Sequence, residues 1–399
     1  MKIEGITVSE ILDSRKEKTI EVAVNTSAGS FSTQLPSGKS KGKNEAVTLG
    51  LENAKNVLKS GLEKEIGETD FNTITDLDKF LIGYDGTENK SKIGGDLSLG
   101  ISISFARALA NEKGVELWQI LREEYFGGVF AESPPKIFSN MINGGSHADD
   151  NLDIQEYQVV GITKEGITHT VKEIKNLYTR LGEILTAKFG VGAIKFGDEQ
   201  GYALDFNDNF EPLKILGELL YESIYKDDFK LGIDVAASGL SNGVSYKFEN
   251  KTISRNELQN IYTKYLKNCD SLKYIEDPFA EFDEIGFENM FSGLGDKIVI
   301  IGDDLTTTRK ESIMQYSGKA INGVIIKPNQ IGTVTETCEA MLAARKKNIE
   351  MIISHRSGEV NDPFIIHFAK AVGAEGVKIG VPVIKERISK FDELTKLYS

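Results

Sequence analysis

The chain has 399 residues and a formal net charge of −13, with 27% of residues charged and 40% hydrophobic. That length suits two domains, and the acidic balance excludes a general nucleic-acid binder, which would show a basic face. No stretch approaches the ~20 apolar residues of a membrane helix. Met1–Ile6 has no apolar signal core, so the expected location is the cytoplasm.

In chain order, the first ~35 residues read as strands by their alternation. Thr19–Val24 alternates, Ser27-Ala28-Gly29 turns, and Ser30–Thr33 continues a hairpin. Pro36–Lys43 is a loop rich in Gly, Ser and Lys, either a surface loop or a lid over an anion. From Asn44 to about Leu121 the pattern is mainly helical, with Leu97–Ala110 spaced as a helix and Gly114 as its stop. Strands followed by helices predict an α+β domain. Glycine and proline cluster between Phe126 and Pro135, which places the boundary between domains 1–128 and 129–399.

Beyond that boundary, strand-like runs alternate with helical ones. The strands are 230–234, 271–276, 297–302, 323–327 and 350–354, and Val334–Lys347 is a clear helix. Alternation of this kind predicts parallel βα units. The apolar runs end one after another on charged residues: Glu156, Glu199, Asp234, Glu276, Asp303, Lys327, His355-Arg356 and Lys378. In a (β/α) barrel the C-terminal strand ends share one face, where active sites are built. An open sheet would concentrate its site at one switch point. The pattern therefore predicts an α/β fold: a (β/α)8-type barrel with one highly polar cavity, preceded by an N-terminal α+β domain.

Asp234, Glu276 and Asp303 would repel one another unless a cation sits between them, and an all-oxygen set favours Mg2+. Lys327 at a buried strand end, near Lys378 and a metal, is expected to have a lowered pKa and to act as a base. Glu156 and Glu199 form a second carboxylate pair that could provide a general acid. Arg356, Ser357 and Lys378 suit a phosphate monoester, with His355 beside them. Asn143–His147 is a Gly-rich turn carrying a histidine. Taken singly, each has an ordinary reading as a helix cap, an ion pair, a snorkelling lysine or a core histidine. The loop 39–43 is no P-loop, and Gly94-Gly95 lacks a dinucleotide fingerprint. Cys269 and Cys338 lie in no CxxC or Cys/His cluster, which argues against structural zinc, and two free thiols are expected.

In this order the segments resemble enolase (phosphopyruvate hydratase) over nearly the whole chain. They include Asp13-Ser14-Arg15, Pro36–Ser40, Asn143–His147, Gln155-Glu156-Tyr157 and Gly197-Asp198-Glu199. Further on come Asp234–Ser238, Glu276-Asp277-Pro278, Gly302-Asp303-Asp304, Lys327–Gly332 and Ser354–Glu359. The resemblance implies an enolase-like barrel and reversible dehydration of 2-phospho-D-glycerate to phosphoenolpyruvate in glycolysis and gluconeogenesis. It implies Lys327 as the base and Glu199 as the acid, with Glu156, His147 and His355 beside them. Asp234, Glu276 and Asp303 would hold one Mg2+, and Ser40 would help hold a second. Gln155, Glu276, Asp303, Arg356, Ser357, Lys378 and Ser40 would meet substrate. It also implies a homodimer, with a Glu21–Lys396 contact across chains. The departures are Lys16-Glu17-Lys18, Lys39, Lys41, Gly239 and Gln200, the last costing about a kcal/mol if its φ is positive. Gln200, Lys39 and Lys41 motivate a second reading, an enzyme for another acid, and the second roles found in the family motivate a third, a non-catalytic binding protein.

Overall fold

A computed structural model describes residues 1–39, 42–127, 133–223 and 226–399. The N-terminal part opens with a three-stranded antiparallel sheet of β1 (Ile3–Leu12), β2 (Lys18–Thr26) and β3 (Gly29–Gln34). The register pairs Ile6 with Val24 and Val8 with Val22. Ile20, Val22 and Val24 thus share one buried face. Helices follow, including α1 (Ile74–Asp85) and α2 (Gly95–Lys113).

α2 is buried along most of its length because it is sandwiched between sheet and barrel. Gly100 lets it approach β2, since a Cβ there would sit 2.5 Å from Val22 Cγ2. Ser104 Oγ donates to Val22 O at 3.0 Å on the sheet side. On the barrel side Ser98 Oγ donates to Gly332 O at 2.7 Å, and Ser102 Oγ accepts from Val334 N at 3.1 Å. Small polar residues thus satisfy backbone groups that two elements bury at this seam.

The rest of the chain forms a closed eight-stranded barrel. Its strands are β4 (Lys136–Asn143), β5 (Glu156–Gly161), β6 (Phe229–Asp234), β7 (Leu272–Glu276), β8 (Val299–Gly302), β9 (Gly323–Ile326), β10 (Glu350–Ser354) and β11 (Gly376–Lys378). β11 pairs back onto β4 and closes the ring. All neighbours are parallel except at β5, which runs antiparallel to β4 and β6. The outer layer includes α3 (Ile167–Phe189), α4 (Glu211–Glu222), α5 (Arg255–Asn268), α6 (Glu284–Leu294), α7 (Lys310–Tyr316), α8 (Val334–Lys347), α9 (Phe364–Val372) and α10 (Lys385–Tyr398).

α8 has the bounds predicted for it. Thr333 caps its start by accepting from Glu336 N, and Asn348 ends it at φ 53°. Six β-branched or aromatic side chains, Phe138, Val160, Tyr274, Ile301, Ile325 and Ile352, form a separate buried cluster contributed by barrel strands. Cys269 and Cys338 are free and buried. No helix among the described residues is long and apolar enough to cross a membrane.

Candidate active site

Strand register brings the charged residues together. Glu276 lies level with Asp234, Asp234 with Glu156, and Ser354 with Lys378. Asp303, Lys327 and His355 directly follow β8, β9 and β10. Glu156 arrives differently from the sequence expectation. It begins β5 rather than ending a strand, and reaches the same rim because β5 is reversed. Glu199 sits in the turn of a short hairpin, between Lys195–Phe196 and Tyr202–Ala203, which pairs onto the rim end of β4.

Lys378 is buried among the carboxylates. Its Nζ is 2.8 Å from Glu276 Oε2, 3.0 Å from Asp234 Oδ2 and 3.2 Å from Glu156 Oε2. Burial works against its charge, but Asp234, Glu156 and Glu276 override it and hold the ammonium well above its usual range. Glu276 moves the other way: burial, then the charge of Asp234, pushes it well above a normal carboxylic acid. Glu276 Oε1 is buried with no hydrogen-bond partner among the described residues. Lys327 Nζ contacts Asp303 Oδ2, and Gln330 Nε2 donates to Asp303 Oδ1 at 3.1 Å. The lowered Lys327 pKa expected from the sequence is corrected here. Burial lowers it, but the adjacent Asp303 carboxylate outweighs burial and raises it.

Asp234, Glu276 and Asp303 fit a hard divalent cation. They are all-oxygen donors at neighbouring strand ends, the charged form of Glu276 is disfavoured by burial and by Asp234, and Glu276 Oε1 has no hydrogen-bond partner among the described residues; Asp303 also stands in a second acidic group with Asp277 and Asp304. Behind them Asp277 accepts from the backbone N–H groups of Asp303 and Asp304, at 3.0 and 2.7 Å. Ser40 and Lys41 lie outside the described residues.

Across the cavity, His147 Nδ1 lies 3.7 Å from Glu156 Oε1 and 3.8 Å from Glu199 Oε1. Asn140 Nδ2 donates to Glu199 Oε2 at 3.1 Å. Burial lowers the His147 pKa, with Glu156 opposing it. Gln155 is held by Ser146 Oγ at 2.6 Å and reaches Asp234 at 3.5 Å. The turn bearing Glu199 is packed on Asn143, whose Oδ1 accepts from Gly201 N at 2.9 Å. Gln200 in that turn has φ 67°, so the glutamine does occupy a left-handed position. His355 Nε2 is 3.5 Å from Glu199 Oε2.

Arg356 is clamped by Glu45, with Nη1 and Nη2 each 3.1 Å from Glu45 Oε2, and by Asn329 Oδ1 at 3.0 Å. Gly38 lies against this guanidinium, where a Cβ would collide with it. Ser357 Oγ accepts from Lys39 N at 3.0 Å. Lys39 Nζ also pairs with Asp198 Oδ2 at 3.0 Å, which ties the 36–39 segment to the turn of Glu199. Arg15 links the two layers through Asp13, Ser37 and Ser357. Sequence reading missed Glu45, Asn140 and the packing roles of Asn143 and Arg15. Glu45 and Asn140 carry no pattern of their own, whereas Asn143–His147 and Asp13-Ser14-Arg15 are visible as motifs without a place. A groove of about 720 Å3 between α4 and α5, at Phe210, Tyr221 and Cys269, holds none of these groups.

A family model described as "Enolase, N-terminal domain" matches residues 3–121, and one described as "Enolase, C-terminal TIM barrel domain" matches residues 133–398. The chain belongs to the enolase family. Among its relatives, the enolase of Ehrlichia ruminantium is 38% identical, with 99% of this chain and 95% of that one aligned. The enolase of Aeropyrum pernix is 35% identical over 99% of this chain and 93% of its own. That of Pyrococcus furiosus is 35% identical over 99% and 94%. Enolases are lyases, so the cavity is to be read as that of a dehydratase.

Proposed function

We infer that the protein catalyses the reversible removal of water from 2-phospho-D-glycerate to give phosphoenolpyruvate, the glycolytic enolase reaction. The observation that carries this reading is the placement of Lys327 and Glu199 around one cavity with Arg356, Ser357 and Lys378. Lys327 Nζ is assigned as the base that takes the proton from C2. The electron pair left at C2 forms the C2–C3 double bond, and hydroxide leaves C3 with a proton from Glu199. Asn140 orients the Glu199 carboxyl through its 3.1 Å hydrogen bond, and Glu156 and His147 complete that polar wall. Arg356, Ser357 and Gln155 are assigned to substrate oxygens, with Lys378 beside the carboxylates.

Mg2+ held by Asp234, Glu276 and Asp303 would offset the negative charge that builds on the substrate carboxylate when C2 loses its proton. Ser40 is assigned to a second Mg2+ shared with substrate, and Glu276 and Asp303 to substrate contact across the first. Lys327 must be free of its proton to act. A cation held by Asp303 would offset the carboxylate charge that raises the Lys327 pKa and so would favour the free amine.

The domain division is placed at 128/129, supported by a separate first sheet and a barrel beginning at Lys136; residues 128–132 lie outside the described ones. A cytoplasmic homodimer is also proposed. Exposed Leu12 and Phe196 suit burial in a partner. Within the chain Glu21 accepts from Ser32 and Gln34, and Lys396 pairs with Glu393 and Glu116. The cross-chain Glu21–Lys396 contact would share these groups, and a monomer by light scattering would exclude it. The reading of an enzyme for another acid is not favoured, because relatives spanning nearly the whole chain are named enolase. The deciding assay is phosphoenolpyruvate absorbance formed from 2-phosphoglycerate with Mg2+ and then with excess chelator. A rise abolished by chelator is expected, and no rise from folded, Mg2+-supplied protein would overturn the assignment.

A further inference from the structure

Arg387, in the first turn of α10, is fully buried in the barrel layer behind the cavity. Its Nη1 contacts His355 Nδ1, and its Nη2 donates to Ser357 O at 3.3 Å. The guanidinium lies against Gly380, which has φ 68°; a Cβ there would sit 2.8 Å from Arg387 Cδ and 3.0 Å from Nη1. Lys390, one turn on, is anchored on Val360 O and Glu386 O at 2.5 and 2.9 Å, with Glu359 at 3.5 Å. The α10 start is thus fixed on the segment that follows β10 and β11.

We propose that Arg387 is a positioning residue that locks His355 as a neutral imidazole with its proton on Nε2, aimed into the cavity. A guanidinium has only donors and does not give up its proton, so the nitrogen it meets must be a bare acceptor. The single remaining proton of the neutral ring then lies on Nε2. That atom is buried, has no hydrogen-bond partner among the described residues, and stands 3.5 Å from Glu199 Oε2. Histidines that hold a tautomer for chemistry commonly donate their second N–H to a carboxylate or carbonyl, which raises basicity. Here the polarity is reversed. Burial, Arg387, and the ammonium groups of Lys378 and Lys327 all disfavour a charged ring. His355 therefore serves as an uncharged donor beside Glu199, not as a proton shuttle. This rests on the proposed reaction for its kinetic consequence only.

Neutron diffraction from the deuterated wild-type protein decides the tautomer without turnover. A deuteron on Nε2 and none on Nδ1 is expected, and a deuteron on Nδ1 overturns the proposal. Kinetics then test the positioning role. Arg387→Met is expected to lower kcat by about 10–100-fold with a smaller change in KM, and Arg387→Lys, which keeps a donor, to restore most of it. If both variants melt alike and Arg387→Met keeps its kcat, the positioning role is overturned. If Arg387→Met does not fold, Arg387→Lys still decides: the wild-type Nε2 proton position in its neutron structure supports the lock, and its loss with a retained kcat refutes it. Loss of all activity in the wild type with the Nε2 deuteron in place would sink the proposed reaction and leave the tautomer standing.

Discussion

Among the places where this molecule buries carboxylates, two handle the charge differently. At the barrel mouth Asp234, Glu276 and Asp303 are matched by Lys378 and Lys327. At the seam between α1 and α8, Asp78 is just as buried but has no ion pair among the described residues. It accepts from Thr335 N at 2.7 Å, its other oxygen has no hydrogen-bond partner among the described residues, and burial raises its pKa to about 7. At the mouth, against burial, Lys327 holds the Asp303 pKa below its usual value, while Glu276 is raised by burial and by Asp234 despite Lys378 beside it. The seam carries an acid that keeps its proton through the mildly acidic range and begins to lose it near neutrality. Burial alone does not set the charge of a carboxylate; the balance of cations and like charges around it decides.

The comparison is broken most directly by removing the mouth's base. Lys327→Ala should cost at least about 10^3-fold in kcat, with circular dichroism unchanged; substantial residual turnover would refute Lys327 as the base. Lys378→Met should destabilise the fold by about 3–5 kcal/mol, because three buried carboxylates lose their ammonium. Mg2+ should then raise its melting temperature more than it raises that of the wild type, and an equal shift would argue against a metal at those carboxylates.

At the seam the effect should be smaller and pH-dependent. The folded Asp78 pKa of about 7 lies above the ordinary 3.8. The unfolded chain therefore loses this proton first, and stability falls as pH rises between those values. Asp78→Asn should be near neutral at pH 4 and more stable than wild type by a few kcal/mol at pH 8. Denaturant melts at both pH values check this, and a pH-independent difference would show that Asp78 is not protonated in the fold. The smallest effect is expected at Gln200, whose φ of 67° strains a side-chain-bearing residue. Gln200→Gly should stabilise by about 0.5–1 kcal/mol, the relief of left-handed strain less the added freedom of the unfolded chain.

The mouth was far more legible in the sequence than the seam. A charged residue after an apolar run marks a strand end, so Asp234, Glu276, Asp303, Lys327, Arg356 and Lys378 could be picked out by position. Glu156 and Glu199 were found by the same rule although neither ends a strand. Nothing in the local pattern reveals that β5 runs backwards. Asp78 is one of several polar residues in an ordinary amphipathic helix, and only the packing of α1 on α8 makes it exceptional. Glu45 and Arg387 were equally silent, since a loop glutamate and a helical arginine look solvated until their partners are known. The Lys327 pKa was read in the wrong direction because the sequence shows that a lysine is buried, not that Asp303 touches it.

The reversed strand has a topological consequence. β5 starts at the rim and ends at the opposite end of the barrel, where Gly161 lies level with Phe229 at the start of β6. A path that leaves and re-enters the barrel at the same end must make an even number of traverses along its wall. Here α3 and α4 are those outbound and return legs, and the hairpin between them is the turning point. An odd number of legs would deliver the chain to the wrong end of β6. The parity of that excursion, set by one inverted strand, carries Glu199 to the rim.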